Sequence, residues 1–403
     1  MKTGIKINRL LKLHNFVAIL FFILLFFGKT FTKIPVFSSL FLYDFLLIII
    51  FGLSFFKIKR KLQLPIIIIP IIISVLYFII SIMKHYNTEH LTFVIRQYAT
   101  FIYIIIAYFL ANKFFTSKDR VNLAIRFIYL FSKVSVVVQS VFLIISLMTG
   151  YSNNTAVEGH RYISPIVVLG VITYGAYVIV YKEKLLFKLV SVILTFILLF
   201  STGHASAFLS FLVILLFNFF LKINIKQRVI GIVVVILLIM FLYAFPQFRD
   251  VNASWRLIYW GHVINNIFLE NFSLFGNGFG EPYSTYEFAI GLNKTHNSYV
   301  LANTYKPYSR WLIGPHNSFL TIMFHIGFLP TLLLFLPVIR IFKKLFYTAK
   351  FNNDLKFLMM SFLGLSIWVA FNVILELPHS SLYFWLLFFT LSYYYKYCYI
   401  LEK

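Results

Sequence analysis

Between about Pro246 and Pro315 the chain carries side chains suited to holding an anion and moving a proton. Arg256 is followed four residues on by Trp260, then by the turn Gly276-Asn277-Gly278-Phe279-Gly280, then by Arg310. The stretch closes on Pro315-His316-Asn317, where an apolar run begins. An arginine's planar fork grips phosphate oxygens bidentately and stays charged. Backbone N–H groups at a helix start favour anions, and a histidine there can accept a proton near neutral pH. The glycine turn offers further N–H groups to an anion, although a lone turn of this kind is more often only a turn. A histidine at a helix start is likewise more often a cap or an interfacial residue.

Other cationic groups belong to the same set. Arg96, beside Gln97, opens the fourth apolar run, where a snorkelling arginine is the plainer reading. Arg161 follows His160 ahead of the sixth, and His204 lies in the hinge Ser201–Ser206. The plainer readings there are an interfacial anchor and a polar turn. Ionisable groups near a membrane are costly and often functional. If Arg96, Arg161, His204, Arg256, Arg310 and His316 share one face, a convergent cationic site results. Lys133 and Gln139 in the fifth run are assigned no role. Thr295-His296-Asn297-Ser298-Tyr299 is echoed by Pro315-His316-Asn317-Ser318-Phe319, so His296 rivals His316. Only 12 acids exist and none forms a D-x-D or a paired cluster, so no metal and no other cofactor are expected. No glycine loop of nucleotide-binding type follows a strand.

The elements that must position these groups are membrane helices. The chain is 61% hydrophobic and 12% charged, against about a quarter charged in a soluble domain. Many apolar runs reach the roughly 20 residues that cross a ~30 Å hydrocarbon core. This is an all-α polytopic membrane protein, since a barrel would show short alternating segments. About twelve spans are expected: 10–27, 35–56, 64–83, 93–111, 122–149, 162–181, 186–201, 204–221, 229–245, 316–339, 357–376 and 381–399. The organisation is a bundle over 1–245, a long loop over 246–315 and a second bundle over 316–403. The first run lacks a small-residue cleavage site and reads as a helix rather than a signal peptide. The single Cys398 excludes an intramolecular disulfide.

The net charge of +24 points to topology rather than nucleic acid. Most of the 36 Lys and Arg residues collect in alternate short loops, which places those loops and both termini in the cytoplasm. The long loop is then extracytoplasmic. Within it, Ser254–Glu270 reads as an amphipathic interfacial helix, apolar at Trp255, Ile258, Val263 and Phe268, with Ser254 as its cap.

The layout with its long outer loop after the ninth span, Arg256 with Trp260, Phe275 to Gly280, Pro315-His316-Asn317-Ser318-Phe319-Leu320 and Gly327 together resemble the O-antigen polymerase and O-antigen ligase family of bacterial membrane glycosyltransferases. Arg161 before Pro165 resembles the family's arginine ahead of the sixth span. Ser201-Thr202-Gly203-His204 stands where the family has a serine–arginine–glycine turn, with histidine near the arginine's place. The resemblance implies a glycan donor on undecaprenyl diphosphate at the outer face of the bacterial inner membrane. Arg256 and His316 would carry the chemistry. Arg161, Arg310, Arg96 and His204 would bind the diphosphate, and Trp260, Gly278 and Asn317 would support them. The acceptor would be a growing glycan, or lipid A–core in a ligase, with membrane lipids and a chain-length regulator as partners and no nucleic acid. A transporter or flippase is the reading from another class. It is disfavoured because the polar groups crowd one face and do not lie at midplane.

Overall fold

The computed structural model describes residues 13–32, 34–37, 40–55, 64–86, 90–149, 165–181, 184–202, 204–222, 251–270, 276–296, 309–346 and 348–397. Arg161, the loop 151–161, the ninth apolar run at 229–245 and Cys398 lie outside them. Within them the chain is almost entirely helical. In hydrocarbon an unpaired backbone group has no water to bond, and a helix satisfies its own.

The elements run α1 (Leu13–Phe31), a small hairpin β1 (Pro35–Phe37) and β2 (Leu40–Phe41), α2 (Leu42–Phe55), α3 (Ile68–His85), α4 (Leu91–Phe114) and α5 (Lys118–Thr149). Then come α6 (Pro165–Tyr181), α7 (Leu185–Phe200), α8 (Ala205–Lys222), α9 (Val251–Asn265), α10 (Tyr286–His296) and α11 (Ser309–Leu312). The last are α12 (Ser318–Ile326), α13 (Phe328–Leu345), α14 (Asn353–Ala370) and α15 (Pro378–Tyr395). Where the described residues cover them the expected runs are helical, with ends moved by a few residues, except at the start of the second and at a break in the tenth. Among the described residues three helices are long and apolar enough to cross a membrane: Pro65–His85, Leu91–Phe114 and Lys118–Met148. Asn15–Gly28, Leu42–Ser54, Pro165–Tyr181, Leu185–Phe200 and Ala205–Leu221 are shorter apolar helices.

Two runs differ from expectation in a way that matters. The second does not begin helical at 35, because Pro35 pairs across to Phe41 in an antiparallel hairpin. The tenth is not one helix. Gly327, at φ 87°, ends α12 and starts α13, a backbone state that a residue with a Cβ avoids. The result is a nine-residue helix whose two ends are both near irregular segments.

Helices α6 and α15 are buried around almost their whole circumference. An all-round apolar helix is one with neighbours on every side. Gly170 of α6 permits the closest approach, since a methyl there would meet Ser135 Oγ of α5 at 1.9 Å. By contrast Ile72, Leu76, Ile80 and Met83 of α3 and Leu186, Val190, Ile193 and Ile197 of α7 are exposed. Surfaces this apolar are stable against lipid, not water.

Helix α14 runs between two polar ends. At its start Asp354 accepts hydrogen bonds from Tyr129, at 2.6 Å, and from Tyr181. Beyond its other end Asn372 donates to Ser206 Oγ at the start of α8, at 3.0 Å. The second end is where α8, α9, α12, α14 and α15 meet.

Candidate functional site

Helix α9 follows the expectation of a helix over Ser254–Glu270, continuing past Asn265 as a π-turn over Asn266–Glu270. Two details differ. The helix begins at Val251, so Ser254 lies inside it and is no cap. The buried stripe is Trp255, Tyr259, Val263 and Ile267, spaced four apart, while Ile258 is exposed. A four-residue repeat keeps one face inward, and Tyr259 joins it because its hydroxyl reaches Ile313 O at 2.9 Å. Trp260, one residue further, donates from Nε1 to Pro315 O at 2.6 Å. These two side chains fix the approach to His316.

His316 adopts φ 52°, the left-handed region. Few non-glycine residues adopt it, and such strain gathers at functional sites. Its ring packs edge-on to Trp255 with centroids 5.2 Å apart. The Arg256 guanidinium carbon lies 5.6 Å from the same Trp255 ring, and Nη1 donates to Phe371 O at 3.4 Å. Burial first, and the nearby Arg256 charge second, lower the His316 pKa to about 3. His316 is therefore a neutral imidazole at working pH. Asn317 caps α12, its Oδ1 accepting from the N–H groups of Phe319 and Leu320 at 3.1 Å each. The expected quartet of Arg256, Trp260, His316 and Asn317 comes together.

Ser318 is the pin of this junction. Its Oγ accepts from Ile374 N at 2.9 Å and Leu375 N at 3.1 Å. Its single proton goes to Asn372 O, at 3.0 Å, or to Glu376 Oε2. Segment 371–377, between α14 and α15, is thus tied to the start of α12. Glu376 escaped the sequence reading because no pattern marks it, one acid among 12 scattered ones. Burial raises its pKa, and the hydroxyls of Ser318 and Thr321 pull it part of the way back. Trp255 and Trp368 were also missed as donors. Each buries an indole Nε1 that closes no hydrogen bond. His204 is exposed at the start of α8, with its ring 5.3 Å from Trp368.

The glycine turn does different work from the anion cradle its sequence allows. Its N–H groups are already spent on protein. Asn277 N donates to Phe324 O at 2.8 Å, and Gly278 N to His325 O at 3.0 Å. Phe279 N donates to Ser81 Oγ at 2.9 Å, and Gly280 N to Gln97 Oε1 at 2.7 Å. His325 Nδ1 lies 2.7 Å from Gly278 O, which can only accept, so Nδ1 carries the proton. Nε2 then accepts from the Tyr283 hydroxyl at 2.9 Å. Gly278, assigned a supporting role, bonds His325 of α12, and the turn as a whole braces α3, α4 and α12 together.

Arg310 belongs to this brace as well. It donates to Ser284 O at 3.2 Å and lies 4.8 Å over Trp311, whose Nε1 bonds Gly280 O. Arg96 is exposed on α4, one residue before the Gln97 that caps the turn. No hydrogen bond among the described residues ties Arg310 or Arg96 to the Arg256–His316 junction. The Tyr283 hydroxyl, bonded to His325, feels charges from both regions. Burial and the Glu376 charge raise its pKa, and Arg96 lowers it. His296 ends α10, and its side chain lies outside the described residues. Among the described residues no three His, Cys, Asp or Glu side chains are grouped to hold a metal.

No family model matches the sequence, and no curated protein matches it.

Proposed function

We propose that the chain is a membrane glycosyltransferase of about twelve spans that polymerises repeat units from an undecaprenyl-diphosphate-linked donor at the outer face of a bacterial inner membrane. The observation that supports this most is the meeting of a guanidinium and a strained neutral imidazole at one end of an apolar bundle. The two come from segments about sixty residues apart in the sequence.

The chemistry follows from what each group can do. The acceptor hydroxyl attacks the anomeric carbon, and the lipid diphosphate leaves with the bonding pair. Arg256 faces the charge that develops on that diphosphate, as a fixed donor that needs no reorganisation. The Trp255 and Trp368 indole N–H groups add neutral donors for its oxygens. His316, held uncharged beside Arg256, orients the acceptor hydroxyl. The apolar outer surfaces accommodate the lipid tail.

Arg256→Ala and His316→Ala should insert normally and abolish chain extension in cells. Wild-type ladder lengths in both variants would refute the assignment. Deletion of the gene followed by glycolipid electrophoresis separates the polymerase from its alternative. A core bearing one repeat marks a polymerase. Bare core, with long chains retained on the lipid carrier, marks a ligase acting on lipid A–core. Normal glycan with altered solute uptake marks a transporter.

A further inference from the structure

We propose that Glu376 is the group that takes the proton from the attacking sugar hydroxyl, an assignment that rests on the glycosyl-transfer reading. The argument begins with hydrogen-bond capacity. Ser318 Oγ accepts two backbone N–H groups and donates one proton, so both its lone pairs and its hydrogen are committed. It can relay nothing, and with its proton turned to Oε2 rather than to Asn372 O it holds Glu376. The other carboxylate oxygen, Oε1, is buried and closes no hydrogen bond among the described residues. The neighbouring Thr321 hydroxyl lies close enough to favour the Glu376 carboxylate, but it donates to Asn317 O at 3.2 Å and closes no bond to Oε1. A buried acceptor left without a donor costs about 1–3 kcal/mol, a cost that a bound hydroxyl or water removes. What Oε1 lacks is a hydroxyl proton, which is what an acceptor sugar brings.

The same junction supplies the complement. Trp255 and Trp368 bury donors without acceptors, and phosphate oxygens are acceptors without protons. Unsatisfied donors near Arg256 and an unsatisfied acceptor at Glu376 match the two halves of the reaction. His316 is the poorer base of the two, since its ring packs against Trp255 beside the Arg256 guanidinium, where gaining a positive charge is disfavoured, while Glu376 becomes neutral on taking the proton. Proton acceptors work best with a pKa near the working pH.

The step balances. The hydroxyl oxygen forms the new bond to the anomeric carbon as the bond to the diphosphate oxygen breaks. The O–H proton passes to the Glu376 carboxylate, and the leaving group departs as the free lipid diphosphate. Glu376 gives up its proton to a water that takes the place of the departing product at Oε1.

The test uses full-length protein in proteoliposomes with lipid-linked repeat units extracted from cells deleted for this chain. Glu376→Gln keeps an oxygen for Ser318 and removes only the basicity. Its kcat should fall about 10²–10⁴-fold, with the donor KM and thermal stability unchanged, and Glu376→Asp should recover part of the rate. Full turnover in Glu376→Gln overturns the assignment. So does a parallel loss of stability or of donor KM, which would make Glu376 a structural brace. Wild-type protein that transfers nothing from this donor overturns the glycosyl-transfer reading itself and the assignment with it.

Discussion

A methyl group added at Gly276 separates a structural turn from an anion-binding one. Built on the present backbone, that methyl would lie 2.4 Å from Gly327 N and 2.4 Å from His325 O. Ordinary contact needs about 3.5 Å, so the turn must retreat by about 1 Å. Both obstacles are backbone, which no rotamer change can clear. The retreat stretches Asn277 N to Phe324 O, now 2.8 Å, and Gly278 N to His325 O, now 3.0 Å, beyond bonding range. Each lost bond costs about 1 kcal/mol, and φ 85° adds about 1–2 kcal/mol for a residue with a Cβ. Gly276→Ala should therefore destabilise the bundle by about 3–4 kcal/mol. Unfolding by SDS titration in mixed micelles reads this directly, alongside transfer activity per folded molecule. A variant within about 1 kcal/mol of wild type that has nonetheless lost transfer would refute the reasoning. The turn would then be holding substrate.

Arg256→Ala should lower the transfer rate about 10²–10³-fold. Arg256→Lys should recover only part, because an ammonium lacks the fork; initial rates on the lipid-linked donor check both. His316 has a folded pKa near 3, below the unfolded value of about 6.5. The unfolded chain takes up that proton first, so stability should fall as pH drops from about 6.5 towards 3. His316→Asn should flatten that slope in a series of unfolding curves, and an unchanged slope would remove His316 as its source. Ser318→Ala leaves Ile374 N and Leu375 N without an acceptor, a loss of about 2–4 kcal/mol that thermal unfolding in detergent would register.

The helices were legible because a bilayer admits little else, and period and run length were enough to place them. The breaks were less legible. The apolar run from 316 to 339 carries one signal of the break, Pro330 three residues after Gly327, and its run length outweighs that signal until His325 O and Gly276 close against the glycine. The quartet Arg256, Trp260, His316 and Asn317 was legible because each residue type is costly or distinctive where it stands. Gly278 and Arg310 turn out to bond protein, and for one shared reason their sequence did not show it. A backbone N–H or a guanidinium shows its capacity in sequence but not its occupancy, and here the carbonyls of His325 and Ser284 occupy them. Glu376 was invisible because its significance lies in a bond to Ser318, 58 residues away.

The position of Arg256 on its helix also favours an amphiphilic ligand over a soluble anion. It stands one residue beyond Trp255, at the edge of the buried stripe and half-buried itself. On its other side α9 exposes Leu257 at 59%, Ile258 at 44% and Ile264 at 41%. A helix meant only to close the bundle would bury those residues, and one meant to face water would replace them with polar side chains. A helix lying at headgroup depth keeps both faces, with the apolar one towards lipid. Under the glycosyl-transfer reading, a carrier whose tail runs along Leu257 and Ile258 presents its diphosphate to Arg256 without leaving the membrane. A free sugar phosphate would leave the outer face of α9 without purpose.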